Sequence, residues 1–207
     1  MDKVTYTESM IEKGLLDLMK DKPFYKIKHQ ELIESAQISD KTFYRHFKDK
    51  YDVLSNVESD LIYGLASALE NDRTALDNLG HIPTAKEISA LATKAFRSTI
   101  DFCMKNKEAL AILTSSNGDI DFFNKIYQTS ENEFIKRFSY LFDDGIKSKS
   151  YINDMPASLI ITIYVSNIVT IIRYLVTVDI DAFSPAAMRE YIGKAQVISP
   201  VNLITEK

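Results

Sequence analysis

Met10, Ile11, Leu15 and Leu18 recur at helical spacing through residues 5–20, so the chain opens on an amphipathic helix that Asp21-Lys22-Pro23 stops. A second apolar stripe, Leu32, Ile33 and Ala36 within FYKIKHQELIESAQIS, is too short for an independent helix and must pack on its neighbours. Ser39 suits the N-cap of a third helix, with Phe43 and Phe47 one turn apart on its buried side. Asp49 caps a fourth, in which Leu54, Leu61, Leu65 and Leu69 mark an apolar seam and Glu58 falls on the same spacing. Only Gln37 and Ile38 separate the second helix from the third. Two short helices on a tight turn, followed by a long one, have the sequence form of a helix-turn-helix module.

NDRTALDNLGHIPT, residues 71–84, ends the long helix in a loop. Beyond it the pattern predicts helices over residues 85–104, 107–114, 120–143, 155–178 and 185–197, with SSNGD, NDMP and FSP as punctuation before the last three. The expected fold is all-α: a three-helix module over residues 1–50, then a helical bundle over residues 51–207, whose first stretch, 51–70, is the connecting helix. Residues 159–178, LIITIYVSNIVTIIRYLVTV, are apolar almost all round. Their length suits a membrane span, yet Ser166, Asn167 and Arg173 interrupt them and no basic flank sets a topology. In a soluble protein such a helix must be covered on every face. One bundle covers one side and a second copy of the chain covers the other, so a homodimer is expected and a membrane is not.

Composition narrows the chemistry. The 207 residues are 45% apolar, with six Gly and five Pro, enough to bury a core and short of turn punctuation. Cys103 is the one cysteine, which excludes an internal disulfide and fits a reducing compartment. The first twenty residues mix acids with bases and hold no unbroken apolar run, so a cytoplasmic chain is expected. There is no Gly-rich phosphate loop, zinc-spaced histidine pair or nucleophile elbow, and His29, His46 and His81 are scattered. No enzyme activity, metal or cofactor is therefore expected. The formal charge is -4, but seven Lys/Arg against four Asp/Glu between Lys22 and Lys50 give that segment +3 and leave -7 for the rest. Local potential, not total charge, steers association with a polyanion, although a solvated helix face has the same counts.

The third helix concentrates that charge. At about 100° per residue, Phe43 and Phe47 point into the module while Lys41, Tyr44 and Arg45 project from the opposite arc, flanked by Thr42 and His46. Arg and Lys suit phosphate oxygens or guanine edges, and a tyrosine ring packs on a thymine methyl. Lys50 sits in the first turn of the next helix, where free N–H groups favour an anion.

SDKTFYRHFKDKYDVL, residues 39–54, resembles the signature of the tetracycline-repressor (TetR) family of bacterial transcription regulators, most specifically over residues 42–50 and Leu54. The likeness covers residues 5–65. It implies that Lys28, His29 and Gln30 open the second helix near DNA, that Asp40, Lys41, Tyr44 and Arg45 face bases or adjacent backbone, and that Thr42, His46 and Lys50 contact phosphates. Two positions depart from the family: Lys28 stands where members carry a capping Thr, and Gln37 where they carry Gly in the turn. Lys28 would compensate by contacting a phosphate. The resemblance further implies a C-terminal bundle that forms the dimer and encloses a small effector. TSSNGDIDFFNKIY and VSNIVTIIRYLV are similar to C-terminal domains of a subgroup from low-GC Gram-positive bacteria. Effector-binding candidates are Phe102, Cys103, Phe122, Tyr127, Tyr164, Asn167 and Arg173, although aromatics at this spacing also serve as core and a lone Asn or Arg also satisfies a dimer partner. The expected function is a ligand-responsive repressor acting as a homodimer on a palindromic operator in double-stranded DNA. The alternative is a helical small-molecule sensor or adaptor that works through protein partners.

Overall fold

The computed structural model describes residues 3–74, 96–141, 151–152, 154–177, 186–187 and 190–191. Among them the helices are α1 (Lys3–Asp21), α2 (His29–Ser35), α3 (Asp40–His46), α4 (Lys50–Thr74), α5 (Arg97–Lys105), α6 (Lys107–Leu113), α7 (Ile120–Leu141) and α8 (Ala157–Thr177), with a 3-10 turn at Phe24–Lys26. A two-residue antiparallel ladder, β1 (Tyr151–Ile152) with β2 (Met155–Pro156), precedes α8 and pairs Tyr151 with Pro156. The fold is all-α apart from this ladder, as the periodicity predicts. The first part of the helix expected over residues 85–104 and most of that over 185–197 lie outside the described residues. The chain forms two compact units, one of residues 1–63 with 108–124, the other of residues 64–107 with 125–207.

In the second unit, Phe96, Ile100, Ile168 and Leu175 form a buried cluster against which Met104, Tyr164, Ile171 and Ile172 pack, joining α5 to α8. The start of α5 has Phe96 at its N-cap, a residue whose side chain cannot accept a hydrogen bond. Asp72, near the end of α4 and 1% exposed, supplies the missing acceptor. Its carboxylate takes the Ser98 and Thr99 N–H groups, both at 2.8 Å, and the Thr99 hydroxyl at 2.7 Å. Next to it, Arg73 pairs with the nearly buried Glu133 at 3.0 Å. Along α8, Ala157, Ile161, Val165, Ile168, Val169, Leu175 and Val176 are buried. Leu159, Ile163 and Tyr174 are exposed on the same helix. By length and composition α8 alone among the described helices could cross a membrane, with 33% of its apolar window buried.

In the first unit, α1 packs on α2 and α3. Ile11 and Leu15 of α1, Leu32 of α2 and Phe43 of α3 are fully buried, on the stripes that the periodicity marks; Met19, which it does not mark, is fully buried too, while Met10 and Leu18 are half-buried. Gly14 permits α1 to approach α2 closely: a Cβ there would lie 3.0 Å from Ala36 N, and the Ser35 hydroxyl donates to Gly14 O at 3.1 Å. The α4 seam is buried along its length, Leu54, Glu58 and Leu61 in the first unit and Leu65 and Leu69 in the second.

The turn between α2 and α3 is the one that Gln37 makes unusual. Gln37 has φ 53, in the left-handed region. The Ile38 N–H donates to Ile33 O at 3.2 Å and the Gln37 N–H to Glu34 O at 3.1 Å, the pair of bonds in a helix stop that glycine usually completes. A residue with a Cβ pays a steric cost there of about 1 kcal/mol. Gln37→Gly is therefore expected to raise the melting temperature by roughly 2–4 °C, measured by thermal unfolding followed by circular dichroism; an unchanged or lower value contradicts a strained turn.

Candidate nucleic-acid interface

The third helix is built as its sequence predicts. Ser39 is the N-cap in extended conformation, and its hydroxyl oxygen accepts from the Thr42 N–H at 3.2 Å and lies 2.9 Å from the Thr42 hydroxyl. Asp49 does the same for α4, its carboxylate accepting from the Tyr51 N–H at 2.8 Å and the Asp52 N–H at 3.0 Å. Phe43 and Phe47 are buried, and Lys41, Tyr44 and Arg45 are exposed on the other arc of α3, Tyr44 by 61%. Five of the seven cations between Lys22 and Lys50, namely Lys26, Lys28, Lys41, Arg45 and Lys48, face solvent.

His29, the first residue of α2, organises the front of α3. Its ring stacks on Tyr44 with centroids 5.1 Å apart and meets Phe43 edge-on at 4.7 Å. Its Nε2 lies 3.3 Å from Asp40 Oδ1, so the first residues of α2 and α3 are joined by a hydrogen bond to a carboxylate. The stack limits the rotation of the Tyr44 arm and presents its hydroxyl end outward. Beside it, Lys28 is the N-cap of α2, exposed, with its backbone N–H donating to Glu31 Oε2 at 2.8 Å. Glu31 also pairs with Lys22. The Lys22 ammonium, with the Lys28 N–H, holds the Glu31 carboxyl below its ordinary pKa. Gln30 is exposed and donates to Glu34 at 3.2 Å.

His46 and Lys50 are engaged inside the module. The His46 side chain is 4% exposed; its Nδ1 lies 3.3 Å from Glu8 of α1, and its Nε2 accepts from Arg45 at 3.4 Å. The neutral tautomer with the proton on Nδ1 satisfies both contacts. The Lys50 ammonium donates to the carbonyl oxygens of Phe24, Tyr25 and Ile27 at 3.1, 3.2 and 2.7 Å. It also sits 4.9 Å from the Phe24 ring centroid and 5.4 Å from that of Tyr51. Burial lowers its pKa. Neither Glu8 nor the 3-10 turn carries a sequence signal for these roles, because both partners are remote along the chain.

The effector candidates are divided between the units. Phe122 is fully buried and belongs to the first unit, and the other six belong to the second. Phe102 packs against Gly64 of α4, and Tyr164 stacks on Phe134 with centroids 4.3 Å apart. Tyr127 is half-buried, while Asn167 and Arg173 are exposed on α8. Cys103 is buried, and burial pushes its thiol up to about 12, which keeps it neutral and a poor nucleophile. Among the described residues no group of three or more His, Cys, Asp or Glu side chains could hold a metal ion.

Solved structures with this architecture match nearly end to end. A putative TetR-family transcriptional regulator from Syntrophomonas wolfei str. Goettingen superposes with a TM-score of 0.60 at 20% identity, covering 98% of this chain and 99% of that one. A TetR transcriptional regulator from Streptococcus agalactiae 2603V gives 0.58 at 16%, covering 94% and 95%. Its fold is that of the TetR-family transcriptional regulators. The fatty acid degradation regulator FadR from Bacillus halodurans superposes with a TM-score of 0.57 at 13% identity over 92% of this chain and 94% of that one. In sequence, the chain is 23% identical over 121 residues to the uncharacterized HTH-type transcriptional regulator YxbF of Bacillus subtilis (strain 168). That stretch is 58% of this chain but only 30% of the length of YxbF. No family model matches the chain.

Within this TetR fold, Lys50 can serve the DNA or the module, and one substitution separates the two. Lys50→Met keeps an apolar stem between Phe24 and Tyr51 and removes three hydrogen bonds, at a cost of about 2 kcal/mol. The melting temperature is expected to fall by roughly 4–8 °C while the slope of log affinity for DNA against log salt stays unchanged. A slope shallower by about one, with stability intact, assigns Lys50 to a phosphate instead.

Proposed function

We propose that the protein is a cytoplasmic, homodimeric DNA-binding transcriptional regulator, a ligand-responsive repressor, that lays α3 in the major groove of a palindromic operator. The observation that carries this reading is the two-sidedness of α3, with Phe43 and Phe47 buried and Lys41, Tyr44 and Arg45 outward on the second helix of a tight helix-turn-helix. In this reading Tyr44, Lys41, Arg45 and Asp40 address base edges, with His29 steadying the tyrosine. Lys28, Gln30 and Thr42 address the backbone. Residues 1–50 read DNA, and residues 51–207, beginning with the connecting stretch 51–70, sense the ligand and dimerise. A molecule bound in the C-terminal bundle acts by displacing α4 and so changing the separation of the two reading heads.

A second copy of the chain is supported by α8. Leu159, Ile163 and Tyr174 are exposed on one stripe of an otherwise apolar helix, with Asn167 between them. Burying that stripe against its own symmetry mate removes apolar area from water on both chains. Ile163→Glu is expected to shift the sedimentation coefficient from dimer to monomer and to abolish cooperative operator binding; a dimer that survives this charge excludes α8 as its seam.

Two substitutions test the DNA reading in an electrophoretic shift against genomic fragments at stated salt. Tyr44→Ala is expected to weaken the selected fragment by about 1–3 kcal/mol more than random DNA. Lys28→Ala is expected to weaken both alike and to reduce the salt slope by about one. A wild-type protein that selects no fragment refutes the regulator and favours an adaptor working through protein partners.

A further inference from the structure

The SSNGD turn between α6 and α7, which the sequence marks only as punctuation, lies on the module that carries α3. Residues 108–124 belong to the first compact unit, while the chain on either side of them, residues 64–107 and 125–207, belongs to the second. Asn117 makes the attachment. Its side-chain amide donates to Met19 O at 3.0 Å and Lys20 O at 3.2 Å, two of the carbonyls that the end of α1 leaves without helical donors. Its own carbonyl accepts from the Phe24 N–H at 2.9 Å. Close by, Lys20 pairs with Glu108 at the start of α6.

The turn is shaped to present that side chain. The Asn117 N–H donates to the Ser115 hydroxyl at 3.1 Å, and that hydroxyl donates to Ile112 O at 2.7 Å. A Cβ on Gly118 would lie 2.0 Å from Leu113 O, so only glycine fits beside Asn117. The contact reaches the DNA-facing surface through Phe24. The N–H of Phe24 goes to Asn117 and its carbonyl to Lys50 at the head of α4. Four residues after Phe24, the capping residue Lys28 begins α2.

We propose that Asn117 is a positioning residue for DNA recognition: seated on the end of α1 and on the Phe24 N–H, it latches the α1–α2 connection and through it the setting of the helix-turn-helix. The inference rests on the DNA-binding reading above. None of the atoms Asn117 touches belongs to the exposed arc of α3, so its loss alters the setting of that arc without removing a contact to DNA.

Asn117→Asp tests this, since it keeps the shape, loses both donors and turns a negative charge on two carbonyls. Measured on the full chain by fluorescence anisotropy with a selected genomic fragment, operator affinity is expected to fall about tenfold or more, with random-DNA affinity and salt slope unchanged. Asn117→His, whose Nδ1–H stands at the same remove from the backbone, is expected to recover part of the loss. Wild type that selects DNA, together with a folded Asn117→Asp that binds within about twofold of it, overturns the latch and leaves the regulator standing. Wild type that selects no DNA overturns the regulator, and the latch with it. Should Asn117→Asp fail to fold, amide hydrogen exchange on the unaltered protein decides. Slower exchange of the Phe24 N–H on adding the fragment supports a seat coupled to DNA, and an unchanged rate overturns it.

Discussion

The reading module depends on a single backbone unit, Phe24, held from both sides. Its N–H is fixed by Asn117 and its carbonyl by Lys50, and its ring is wedged edge-on against Tyr51 with centroids 5.1 Å apart. Three stretches remote in sequence, the end of α1, the start of α4 and the α6–α7 turn, therefore share one anchor. The two helices of the helix-turn-helix are seven residues each, too short to persist by themselves. Their orientation is inherited from what the anchor holds, together with the apolar packing of Leu32 and Phe43 against α1.

The charges divide into two populations with different work. Lys22 and Lys50 face partners within the first unit, a carboxylate and three backbone carbonyls that accept their hydrogen bonds. Exposed ion pairs of this kind add little stability singly, but a partly buried cation with three carbonyl acceptors is costly to break. The five outward cations are exposed, where an external polyanion can reach them. A net acidic chain can thus carry a local basic face, because Lys22 is paired with Glu31 and Lys50 is solvated by backbone carbonyls rather than crowding that face.

Much of this was legible in the residues. Ser39 and Asp49 carry capping chemistry that depends only on the next three residues, so both helix starts were readable locally. The apolar stripes of α1 and α4 follow from periodicity, and the left-handed φ of Gln37 is what the resemblance implies, since the family carries Gly there. What stayed hidden is what distant segments do to one another. Nothing in SSNGD shows that Asn117 reaches a helix end 97 or 98 positions away. Nothing in the surroundings of Lys50 shows that three carbonyls await it, since a lysine at a helix start looks equally like an anion site. Phe122 reads like any aromatic on an amphipathic helix, and only the folded chain assigns it to the first unit. The candidate DNA surface on α3 was legible because one helix supplies it; the effector candidates were not, because a cavity is a property of several helices at once.

The buried carboxylate of Asp72 has a consequence for how the second unit can move. Because α5 borrows its first acceptor from α4, twisting the end of α4 strips protons of their partner at the foot of α5, and unwinding that foot strands a carboxylate in a dry interior. Each distortion is penalised by the other, so Asp72 ties the end of one helix to the foot of the next.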